Sequence, residues 1–151
     1  MRPRCVFLGL IMAWVVAIYL PSLLLPAVGL MPLAPGQSLP AATWALADEV
    51  APLAKLAYAA ILSTLLLGVR RLALNRIALI AADVALACIA MLAVLALLPE
   101  DWSRGFGVGL TGTRFAAGPT LVYLVGAAFS GFTFSLVEAN CRSIDDQSPN
   151  R

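Results

Sequence analysis

Ile77-Ala-Leu-Ile-Ala-Ala-Asp83-Val-Ala-Leu-Ala-Cys88-Ile-Ala-Met-Leu-Ala-Val-Leu-Ala-Leu-Leu98 is an apolar run with one carboxylate set into it. A bilayer core of ~30 Å takes ~20 apolar helical residues to cross, and this stretch meets that length. Three further runs do the same, giving candidate spans at 5–28, 51–69, 77–98 and 119–139. The chain has 151 residues, 62% hydrophobic and 12% charged, with a mean hydropathy of +0.94. Soluble domains carry about 25% charged residues, so a soluble fold is excluded. Four spans with short loops use up the length, and residues 1–151 read as a single membrane domain: an all-α four-helix bundle.

The connections are read from composition. Arg2 and Arg4 precede span one, as in a signal peptide, but the run Val6–Leu25 is ~20 residues against the usual 7–15 of such a leader. Pro21 and Pro26 are expected to kink or end that helix, since proline removes a backbone donor. A proline-rich first outer loop follows, from Gly29 to Pro40. Ala41–Val50 is expected to form a short interfacial helix, with Trp44 at headgroup level and Asp48 and Glu49 facing water. The second outer loop, Gly105–Gly112, alternates glycine with bulky residues. It lacks the Gly-Lys-Ser/Thr ending of a phosphate cradle. A polar tail, Asn140–Arg151, follows span four.

Orientation follows from the basic residues. Arg2, Arg4, Arg70, Arg71, Arg76, Arg142 and Arg151 lie on one side, and Lys55, Arg104 and Arg114 on the other, together the ten of the chain. The positive-inside rule then places both termini in the cytoplasm. With that topology Cys5, Cys88 and Cys141 all lie outside an oxidising compartment, and no structural disulfide is expected. The cysteines have no metal-ligand spacing and the chain has no histidine. No metal site, cofactor, catalytic acid–base pair or nucleic-acid surface is expected, and the chain reads as non-enzymatic.

Helices in lipid associate through small residues and a few polar contacts. Gly9, Ala13 and Ala17 recur at four-residue spacing in span one, and Ala127, Gly131, Ser135 and Ala139 in span four. Each set lies along one helix face and reads as a contact stripe, chiefly within the chain, with a homo-oligomer or a larger membrane complex as the other use. Tyr123, Phe129, Phe132 and Phe134 flank the second stripe as packing or lipid-facing groups.

Asp83 is the candidate for chemistry inside the bilayer, where a carboxylate is costly and needs a polar partner or a water path. Its depth matches Ser63 and Thr64 on span two, while Lys55 lies ~12 Å further outward at 1.5 Å per residue. Arg76 is the other cation in reach. Without a cation, burial favours the neutral carboxyl. Glu138, near the inner end of span four, is expected to pair with Arg76.

The segment Phe132-Thr-Phe-Ser-Leu-Val-Glu-Ala-Asn140-Cys-Arg-Ser-Ile144-Asp-Asp, with the helix layout, resembles an uncharacterised family of small four-helix bacterial membrane proteins often encoded beside a Cro-type helix-turn-helix regulator. The turn between spans two and three is shorter here than in that family. The resemblance implies the four-span fold; that family has no assigned catalytic residues, so none is carried over. Together these readings make the chain a multi-pass protein of a bacterial cytoplasmic (inner) membrane. Its expected role is that of a structural or accessory subunit packing through its small-residue faces, the alternative being a small oligomeric transporter or channel with Asp83 as proton or cation site.

Overall fold

The computed structural model describes residues 3–50, 52–72, 75–97 and 117–147. Five helices make up the described chain: α1 (Pro3–Ala27), α2 (Leu39–Glu49), α3 (Pro52–Val69), α4 (Arg76–Leu97) and α5 (Ala117–Gln147). Four of them, α1, α3, α4 and α5, are long and apolar enough to cross a membrane. Trp102 and the glycine-rich loop lie outside the described residues.

α5 is the hub. It packs most extensively on α1 and next on α4; α2 lies on α1, α3 lies on α4, and a lighter α1–α3 contact closes the arc. Small residues permit the two main contacts. A Cβ on Gly131 would stand 2.7 Å from the carbonyl carbon of Asp83, and one on Gly126 would stand 2.7 Å from Pro21 Cδ. Gly9 likewise faces the Phe134 ring at 2.9 Å. The stripes Gly9/Ala13/Ala17 and Ala127/Gly131/Ser135 are buried in these contacts. They are thus used within the chain. Many large apolar side chains point outward instead, among them Phe7, Leu56, Ile77, Leu121 and Phe129, as lipid-facing positions should.

Three boundaries differ from the sequence reading. Pro21 lies inside α1 and does not end it, whereas Pro26 is the last residue but one of the helix. The Pro21 ring seats against Gly126 of α5. The chain turns only at Val28–Met31, where Gly29 takes φ 74°, a conformation that favours glycine. Second, α5 continues past Ala139 through Gln147, so most of the expected polar tail is helix. Third, the short helix expected over 41–50 spans Leu39–Glu49, and it packs along α1. Ala42 and Ala47 are buried, and the Trp44 ring centroid is 5.9 Å from that of Tyr19, well inside α1. Asp48 is exposed.

The helix α5 runs antiparallel to α1, so the start of α1 meets the far part of α5. Cys5 and Cys141 are joined there as a disulfide, with Cα atoms 5.4 Å apart. This corrects the expectation of three free thiols. The pairing depends on two residues 136 positions apart reaching the same level, which spacing along the chain does not reveal. Only Cys88 is free among the described residues. The end marked by this disulfide is called proximal below, and the opposite end distal.

Candidate functional site

Asp83 projects from the second turn of α4 into the proximal part of the bundle and is fully buried. Its partner is Arg70, the residue immediately after α3. Arg70 Nη1 donates to Asp83 Oδ1 at 2.9 Å, and Nη2 to Oδ2 at 2.6 Å. The Ser135 hydroxyl donates to Oδ2 as well. On its other edge the same guanidinium donates through Nε to Glu138 Oε2 at 2.9 Å. Glu138 Oε1 in turn accepts from Arg142, one turn further along α5. The Arg70 and Glu138 side chains are 3% and 5% exposed, whereas that of Arg142 is 43% exposed. Phe134 supplies the floor: its ring centroid is 4.9 Å from the Arg70 guanidinium carbon, within cation–π range.

The arrangement is a chain of alternating charge from α4 to α3 to α5, two cations against two carboxylates. A fork-shaped guanidinium suits it because it can meet one carboxylate bidentately and still present Nε to a second. Burial works against the Arg70 charge. The hydrogen bonds and charges of Asp83 and Glu138 outweigh that and hold its pKa above the ordinary arginine value. Both side chains that contact the Asp83 oxygens, Arg70 and Ser135, do so as donors, and one of them is a cation.

The partners of Asp83 and Glu138 therefore differ from those read in the sequence. Thr64 is exposed and turns its hydroxyl back to the Ala60 carbonyl at 2.8 Å, and Ser63 is half-buried. Neither takes the place beside Asp83. Comparing Cα depths ignored the length of an arginine, which reaches inward from a helix end while its backbone stays near the surface. Arg76 begins α4 exposed, and Glu138 pairs with Arg70 and Arg142 instead. Arg142 was missed because residues after Ala139 were read as a tail. On a continuous helix Glu138 and Arg142 become an i,i+4 pair, which is the signal the sequence did hold. Arg70 was counted only as a topology marker.

Two further polar contacts tie the spans together. Tyr58 of α3 donates to the Ser130 hydroxyl of α5 at 3.3 Å in the buried interior, and Trp14 Nε1 of α1 donates to the Lys55 carbonyl of α3 at 3.0 Å. Among the described residues no cluster of side chains is arranged to hold a metal ion. No family model, curated protein or solved structure matches the chain.

Proposed function

We propose that the chain is a non-enzymatic, multi-pass protein of a bacterial cytoplasmic membrane with a structural or accessory role, oriented with both termini inside. The occupancy of Asp83 carries this reading. An ion or proton site in a transport path needs a carboxylate oxygen that a passing ion can reach. Here one oxygen accepts from Arg70, the other from Arg70 and Ser135, and the residue is fully buried. Such a carboxylate holds three helices in register. Because the Gly9 and Gly131 faces pack inside the chain, a partner subunit would meet the outward apolar faces.

The test uses the tagged full-length chain. An accessory subunit should bring down a partner in fixed stoichiometry from gently solubilised native membranes. Reconstituted alone in vesicles, it should give no proton flux above the protein-free background. A flux that appears with the wild type and disappears in a folded Asp83→Asn variant would overturn the proposal in favour of transport.

A further inference from the structure

The charge cluster occupies the proximal end of the bundle. A separate feature lies further up, where α2 stops and α3 begins. There a cavity of about 240 Å³ opens between α1, α2 and α3, walled by Trp14, Tyr19 and Trp44, with Asp48 and Lys55 on its rim. Trp14 helps fix its shape through the hydrogen bond to the Lys55 carbonyl. Lys55 and Asp48 come from opposite sides of the helix break, and neither forms an ion pair among the described residues.

Depth makes these two charges notable. Measured along α1 from Cys5, Trp14 stands ~13 Å and Tyr19 ~21 Å toward the distal end, which Ala27 reaches at ~33 Å. The cavity therefore opens within the apolar length of the bundle, short of its distal end. Charge at that level is costly and favours a polar occupant or a path to water. The cavity is also open to the outside: Trp44 is 68% exposed and Asp48 is exposed. With α1 read as a membrane span, an occupant entering from that side comes from the surrounding bilayer.

We propose that this groove binds the headgroup of a zwitterionic phospholipid. Its phosphate sits on the Lys55 ammonium, and its own ammonium sits between the Asp48 carboxylate and the aromatic walls. Each part meets a matching group: a phosphate is a strong acceptor for a lysine ammonium, and an alkylammonium is attracted both to a carboxylate and to the faces of tryptophan and tyrosine rings. The volume is below the 300–1,000 Å³ typical of pockets that enclose a whole drug-sized ligand, which suits a headgroup whose acyl chains remain in the bilayer along α1 and α2. A lipid held there would also bridge the end of α2 and the start of α3.

The experiment is native mass spectrometry of the full-length chain released from nanodiscs made with equal phosphatidylethanolamine and phosphatidylglycerol. The expected result is one phosphatidylethanolamine retained per chain, preferred over phosphatidylglycerol. Lys55→Gln should lower retention about tenfold, the loss of one charge-assisted contact, while Lys55→Arg keeps it. Asp48→Asn should reduce the preference between the two lipids. Thermal unfolding in detergent identifies variants that have lost the fold, and Trp44→Leu then serves as the second variant. Equal retention of both lipids, or retention unchanged in Lys55→Gln and Trp44→Leu, would overturn the proposal. So would displacement by soluble glycerophosphoethanolamine at concentrations comparable to the lipid, which would assign the groove to a water-borne zwitterion.

Discussion

Replacing Arg70 by methionine removes the one cation that Asp83 and Glu138 share. In the structure the guanidinium lies 2.6 Å from Asp83 and 2.8 Å from Glu138, with side chains 3%, 0% and 5% exposed. At an effective dielectric of about 20, unit charges about 4 Å apart attract by about 4 kcal/mol. Breaking a buried pair by removing one partner costs about 3–5 kcal/mol, because the other charge is left uncompensated. Arg70→Met should therefore lose an amount in that range. Asp83→Asn should cost less, about 1.5–3 kcal/mol, since Asn still accepts from Ser135 and Arg70 keeps Glu138. The diagnostic variant is the double one. With Arg70→Met and Asp83→Asn together, the remaining Glu138–Arg142 pair is balanced, and the cost should fall below the sum of the singles by about 2 kcal/mol. Unfolding in mixed micelles by increasing the fraction of denaturing detergent measures all three. Strictly additive losses would refute the account of the cluster as a charge-balanced unit.

The glycines give a contrast in sign. Gly131→Ala should destabilise by about 1–3 kcal/mol, because a Cβ there meets the Asp83 backbone, and Gly126→Ala against Pro21 should act alike. Gly68→Ala faces open space in α3 and should be neutral or stabilising by up to about 1 kcal/mol; equal losses at all three positions in the same unfolding assay would contradict the packing described. The Cys5–Cys141 bond closes a loop of 136 residues in separation, for which the chain-entropy relation gives about 5 kcal/mol as an upper figure, reduced here because the unfolded helices remain in the membrane. Cys5→Ser should lower stability to that of the reduced wild type, measured by the same unfolding with and without reductant. The bond also reports on orientation: with both termini cytoplasmic it lies on the reducing side. Trapping thiols by alkylation in intact cells decides between the two sides: a Cys5–Cys141 disulfide found there would reverse the proposed topology, and free thiols would keep it.

What the chain alone determines is the number of helices long and apolar enough to cross a membrane. Four apolar runs of about 20 residues, arginines gathered at their ends and small residues every fourth position are local properties, and the bilayer acts on them locally. Gly9, Ala13, Gly131 and Ser135 could be named as contact positions for that reason, and the helices α1, α3, α4 and α5 fall close to the runs. Asp83 could be singled out too, because an intramembrane carboxylate is conspicuous whatever surrounds it. Its partner could not. Arg70 reads as a turn residue until the third dimension places the end of α3 beside α4 and α5, and its side chain spans the gap that Cα levels leave open. The same holds for Cys5 with Cys141 and for Trp14, Trp44 and Lys55 around one cavity. Each joins residues far apart in the chain, brought together by the antiparallel packing of α1 on α5 and by α2 folding back along α1. Periodicity reports which face of a helix is buried, whereas the identity of the group buried against it depends on how the helices pack.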